Sequence, residues 1–145
     1  MKATFESVQG KVAVVTGASR GIGEAIARAF AANGMKVVLA ARSEEQGQKV
    51  AEEIVAQGGD AVFVRTDCSD PAQIKALVEK AVEIYGRLDG FVSNAGIGMG
   101  GNPLHEYDME AYERIFALNS EGVLAPMNYG PEAIFRRKSK GRFLI

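Results

Sequence analysis

Apolar residues fall along this chain in two alternating rhythms. Residues 11–17 (KVAVVTG) form a continuous β-branched run closed by glycine, the pattern of a strand buried on both faces. Ile22, Ala25, Ile26, Ala29 and Phe30 then recur at helical spacing until Asn33-Gly34. The pattern returns in residues 36–42 (KVVLAAR), followed by a helix with Ser43 as cap and Gln46 at the capping-box position, running to Gly58-Gly59. It returns a third time in residues 61–66 (AVFVRT). Asp70 caps the next helix, Pro71 takes its first position, Gln73 completes a second capping box, and Ile74, Leu77, Val78, Ala81 and Tyr85 make the inward stripe. A fourth strand is expected in residues 88–96 (LDGFVSNAG).

Strands alternating with helices of this length require right-handed crossovers and a parallel sheet covered on both faces. The expected fold is a doubly wound α/β domain of the Rossmann type, five strands in order 3-2-1-4-5, in a single domain over residues 1–145. After the fourth strand come a glycine-rich loop, residues 96–108 (GIGMGGNPLHEYD), and a helix beginning near Asp108. Pro126 and Gly130-Pro131 predict a kink or two helical pieces, since an interior proline removes a ladder bond and crowds the preceding turn. Residues 142–145 (RFLI) are the expected fifth strand.

Composition narrows the function. The 145 residues are 47% hydrophobic and 24% charged with a net charge of −1, ordinary for a globular domain and without the basic excess of a nucleic-acid binder. The local cluster Arg136, Arg137, Lys138, Lys140 and Arg142 reads as a solvated helix end. One cysteine precludes an internal disulfide, no run is long and apolar enough to span a membrane, and residues 1–15 lack a signal-peptide core. The expected setting is cytoplasmic, with neither a nucleic-acid nor a membrane partner.

The chemistry starts in the first strand-to-helix turn, residues 16–23 (TGASRGIG). Glycines at 17, 21 and 23 let backbone approach a pyrophosphate, whose charge is met by N–H groups and the positive end of the helix dipole. A P-loop is disfavoured because no Lys-Ser/Thr pair follows the last glycine. At the end of the second strand, where an acid would bond the adenosine ribose 2′-hydroxyl, stand Ala41 and Arg42. Arg42 with Arg20 makes a cationic fork for a 2′-phosphate, or the two are solvated surface arginines; the first reading predicts NADP over NAD. Asp67 follows a strand's carboxyl end, where ligands of such sheets gather, and is read as a ligand-site acid; the alternative is a turn-forming residue beside Asp70. Cys68 has no neighbouring histidine and reads as a packed residue; His105 reads as a loop histidine. No cluster has metal-ligand spacing.

TGASRGIG, DCSDP at 67–71, SNAG at 93–96 and NSEGV at 119–123, in this order, resemble the signatures of the classical short-chain dehydrogenase/reductase family. The resemblance implies hydride transfer between a nicotinamide cofactor and an alcohol or carbonyl. It implies that Gly17, Ser19, Arg20 and Ile22, with Gly21 and Gly23 in the same turn, meet the cofactor phosphates and ribose. Asp67 and the backbone at Cys68 would hold the adenine; Asn94, Ala95 and Gly96 would shape the floor. Of the family's catalytic groups only an asparagine is present, as Asn119. No tyrosine here is followed four residues later by lysine, and the family's serine belongs just beyond the fifth strand. The chain is therefore expected to be the cofactor-binding part alone, lacking the family's last two strands and inactive by itself. The alternatives are a stand-alone nucleotide-binding or self-associating module, pairing through the edge of the fifth strand, and a non-functional fragment.

Overall fold

The computed structural model describes residues 6–98, 100–101, 103–135 and 142–144. Strands β1 (Val12–Thr16), β2 (Lys36–Ala41), β3 (Asp60–Arg65) and β4 (Gly90–Val92) form a parallel sheet in the order β3-β2-β1-β4. The backbone of Arg142–Leu144 runs parallel to β4, with Phe91 opposite Phe143. The side chains of residues 142–144, Ile145 and most of the basic cluster lie outside the described residues.

The period of two along β1 and β2 builds the two layers. Ala13, Val15, Val37 and Leu39 face helices α1 (Gly21–Ala32) and α2 (Glu44–Ala56). Val12, Val14, Val38 and Ala40 face Leu77, Val78 and Ala81 of α3 (Pro71–Tyr85) on the other side. Both faces of the central strands are thereby removed from water, which is why their sequence is apolar without alternation. At the opposite end from the strand carboxyl termini, Asp89 ties β1 to the entry of β4. Its Oδ2 accepts from Val12 N at 2.9 Å, its N–H donates to Val12 O at 2.8 Å, and both its oxygens accept from Arg87.

Four expectations need correction. Ile22 does not face the core: it is 74% exposed, and α1 turns Gly23, Ala27 and Ala31 inward. Contact decides this, because a Cβ at position 23 would stand 2.4 Å from Gly17 O, so the glycine row must be the one against the turn. Ser43 precedes α2 but makes no side-chain capping bond. Asp70 does cap α3, accepting from Ala72 N at 2.9 Å, while Gln73 reaches back to the Asp67 N–H at 2.8 Å. The fourth strand is three residues long, since the backbone beyond Val92 turns to bond Thr16.

The prolines do not break their helix. Helix α4 (Met109–Phe116), capped by Asp108, passes into a wide turn at Ala117–Glu121 with five-residue spacing, and α5 (Gly122–Phe135) runs on through Pro126 and Pro131. The carbonyl that Pro126 would crowd belongs to Gly122, at the junction where the Gly122 N–H already bonds back to Ala117. The irregularity therefore falls at Asn119, upstream of both prolines.

Candidate functional site

Above the carboxyl ends of β1, β2 and β3 and the exit of β4 lies an open cleft of about 530 Å³. The turn from β1 to α1 forms one wall. Gly17 and Gly21 have φ of +64° and +61°, a backbone that favours glycine. A Cβ on Gly17 would meet Asn94 Nδ2 at 2.9 Å, whereas one on Gly21 would meet nothing within 4 Å. The turn is thus packed against β4 from behind and open in front. The N–H groups in the first turn of α1 have no intrahelical acceptor, and no side chain caps them. Those donors, the helix dipole and a wall without side chains fit a dinucleotide pyrophosphate.

Thr16 holds the floor. Its hydroxyl donates to Val92 O at 3.2 Å and accepts from the N–H groups of Asn94 and Ala95, both at 3.0 Å. All its bonding capacity is used, and the residue is 2% exposed. Asn94 returns the tie by donating from Nδ2 to Thr16 O at 2.9 Å. Thr16 is a positioning residue that the sequence did not reveal, because its partners stand 76 to 79 positions away.

Gly17, Ser19, Arg20, Gly21, Ile22, Arg42, Asp67, Cys68, Asn94, Ala95 and Gly96 all line the cleft; Gly23 lies behind it, against Gly17 and Asn94. Ala41, Ser43, Gln46, Thr66, Ile97 and Leu118 complete the lining. The sequence marks Ala41 as standing in place of an acid and Ser43 and Gln46 only as capping residues, while Thr66, Ile97 and Leu118 were not singled out. Asp67 accepts at Oδ1 from the backbone and hydroxyl of Ser69, at 3.0 and 2.7 Å. These two bonds hold its carboxyl below the ordinary range, with smaller help from Arg42 and Arg65. Cys68 is 5% exposed, and burial first, then the Asp67 charge, pushes its thiol up to about 11. A neutral thiol with that environment is a packing group. Gly122 explains part of NSEGV: its Cβ would stand 2.4 Å from Cys68 O, so α5 can seat directly on the loop after β3 only with glycine there.

Asn119 does not line the cleft. Its Oδ1 accepts from Ile97 N at 3.0 Å and its Nδ2 donates to Ile97 O at 2.8 Å, so both ends of the amide hold the loop that carries Gly96 and Ile97. His105 sits in a short helical turn, exposed, beside Glu106. Among the described residues no group of His, Cys, Asp and Glu could hold a metal, and no helix is long and apolar enough to cross a membrane.

A parallel sheet in this order, with a glycine-rich turn and a ligand-sized cleft at the strand carboxyl ends, defines a dinucleotide-binding domain. The family model for short chain dehydrogenase matches residues 11–144, and the chain belongs to that family. An uncharacterized oxidoreductase of Thermotoga maritima is 43% identical over 130 residues, covering 90% of this chain and 50% of its own length. A metagenomic short-chain oxidoreductase solved in complex with NADP is 40% identical, with a TM-score of 0.86 over 95% of this chain and 62% of its own. A short chain dehydrogenase/reductase from Burkholderia phymatum, solved in complex with NAD, is 33% identical, with a TM-score of 0.90 over 96% of this chain and 49% of its own. The chain spans about half the length of the curated relatives it matches.

Proposed function

We propose that this chain is the NADP(H)-binding part of an oxidoreductase that moves hydride between the nicotinamide and an alcohol or carbonyl. The observation that carries the choice of cofactor is the pair Arg20 and Arg42 on the cleft wall, with Ala41 and Arg42 where an acid would reject a 2′-phosphate. Similar proteins solved with NADP and with NAD support a nicotinamide cofactor of either kind, so the choice of NADP rests on the residues at and just after the end of β2. Bound there, the nicotinamide supplies or accepts the hydride. The chain's own part is to seat the pyrophosphate on the α1 turn, to hold the adenosine between Arg42 and the loop of Asp67 and Cys68, and to keep the floor rigid through Thr16, Asn94, Ala95 and Gly96. Asn119 acts through Ile97 as a positioning residue.

The same reading takes residues 142–144 as the fifth strand of a sheet in order 3-2-1-4-5, and the protein as cytoplasmic. It assigns proton transfer to groups these 145 residues do not contain, as no Tyr-x-x-x-Lys occurs among them. Titration of the purified chain with NADPH and NADH tests the cofactor assignment: one charge-assisted bond to the 2′-phosphate gives an expected preference of about 10- to 100-fold for NADPH. Equal or reversed affinity overturns it. Steady oxidation of NADPH by the chain with any carbonyl of a broad panel overturns the assignment of proton transfer elsewhere. A second reading, a self-associating module, is favoured by exposed Met109, Tyr112, Phe116, Leu124 and Met127 on α4 and α5. A mass that stays monomeric by light scattering across a hundredfold range of concentration removes it.

A further inference from the structure

Six arginines have described side chains, and they divide cleanly. Arg28 pairs with Glu24 and Glu53, Arg87 with Asp89, and Arg114 lies within reach of Asp108 and Glu110. Arg20, Arg42 and Arg65 have no carboxylate within ion-pair distance among the described residues, and these three stand at the carboxyl ends of β1, β2 and β3. Arg65 was not singled out by its sequence context. It is the last residue of β3, in register with Ala41 on the cleft wall and two residues before Asp67, also on the wall. Its direction follows from the strand's period: Phe63, two positions earlier, lies against Gly47 of α2, so Arg65 projects on that same face, one step nearer the first turn of α2 that Arg42 and Ser43 lead into. The side chain is exposed. Asp67 feels both Arg42 and Arg65, and Glu44 and Glu45 stand in the first turn of α2, yet none of these carboxylates lies within ion-pair distance of the three arginines.

We propose that Arg65 is a third cofactor-selecting residue, completing with Arg20 and Arg42 a rim of arginines that takes the 2′-phosphate of an adenine dinucleotide. Guanidinium groups without a carboxylate partner keep their N–H donors available for the oxygens of a phosphate dianion. The inference rests on the cofactor reading above, and it assigns to β3 a share of the selection otherwise given to the glycine-rich turn and β2.

The probes are 2′,5′-ADP and 5′-AMP, which contain the adenosine end alone, titrated by calorimetry into the unmodified chain, Arg65→Gln and Arg65→Lys. Circular dichroism checks that each variant keeps the fold. The expected result is about a fivefold loss of 2′,5′-ADP affinity in Arg65→Gln, little change for 5′-AMP, and recovery in Arg65→Lys. The difference between variant and unmodified chain should shrink as salt is raised, because the rim is exposed. An unmodified chain that binds both probes equally overturns the cofactor reading itself. A clear preference for 2′,5′-ADP that survives Arg65→Gln unchanged, or an equal loss of both probes, leaves that reading standing and overturns the role of Arg65.

Discussion

Asn119 holds the backbone of Ile97 with both ends of its amide, at 3.0 Å to the N–H and 2.8 Å to the carbonyl. The wide turn at Ala117–Glu121 is what brings this side chain to that loop, and Gly96 is close enough that a Cβ would lie 3.3 Å from Asn119 Oδ1. Replacing Asn119 by alanine should cost about 1–2 kcal/mol, the net value of two partly solvated hydrogen bonds. Amide exchange at Ile97 should accelerate more than exchange in β1 or β2. A uniform acceleration across the sheet would assign Asn119 to global stability and not to the loop.

Thr16 predicts a larger loss. Thr16→Val keeps the volume but strips the acceptor from the Asn94 and Ala95 N–H groups and the donor from Val92 O. A cost of about 2–4 kcal/mol in urea unfolding is expected, because buried groups left unbonded forfeit their hydration as well. Thr16→Ser should recover most of it, losing only one methyl group, about 1 kcal/mol. Equal losses in both variants would mean that packing, not the hydroxyl, is what matters.

Gly23→Ala sets the helix propensity of alanine, about 1 kcal/mol in its favour, against a Cβ 2.4 Å from a backbone oxygen and 2.5 Å from Asn94 Nδ2. Backbone cannot step aside cheaply, so the clash wins by about 1–3 kcal/mol. Thermal unfolding measures it, and the Asn94 side-chain amide resonance should shift with it. A stabilised variant would show that α1 can slide away from the turn.

What the sequence made legible follows from which physics is local. Buried strands need continuous β-branched runs, and crossovers have one hand, so the order 3-2-1-4 could be read before any coordinates. Cleft residues were legible for the same reason: a doubly wound sheet gathers ligands at its strand carboxyl ends, where Gly17, Arg42, Asp67 and Asn94 all fall. The facing of α1 was not legible. Ile22 has the hydrophobicity of a core residue, and only the three-dimensional approach of Gly23 to Gly17 reverses the choice. The wide turn at Asn119 carries no compositional mark, and the prolines that do are accommodated after it. Thr16 and Arg65 depend on register between strands far apart in the chain, which a residue pattern does not encode.

Cys68 offers a test by pH. Its folded thiol lies at about 11, above the unfolded value of about 8.5, so the neutral form contributes stability in full below the unfolded value. That contribution is lost as pH rises from there through about 11. Cys68→Ala should therefore show a flatter stability profile between pH 8 and 11. At pH 8 the native thiol should alkylate on the order of 100-fold more slowly than the denatured one, and equal rates would show the loop after β3 to be open to reagent.

Asp89 should produce the opposite dependence at the far end of the sheet. Burial alone pushes its carboxyl up, but the Arg87 guanidinium and the Val12 N–H outweigh burial and bring it below its ordinary value. A depressed folded value means that the stability is present above the unfolded value, about 3.9, and is lost as pH falls through the folded one. Asp89→Asn keeps an oxygen for Val12 but gives up the charge facing Arg87, and should cost about 1–3 kcal/mol at pH 7. Other carboxylates titrate in the same range in both proteins, so their effects cancel in the difference. The gap between unmodified chain and Asp89→Asn should therefore close as the pH is lowered from 7 to 2, measured by urea unfolding at each pH. A gap that stays constant would show that Asp89 stabilises through geometry at β1 and β4 and that its charge contributes nothing.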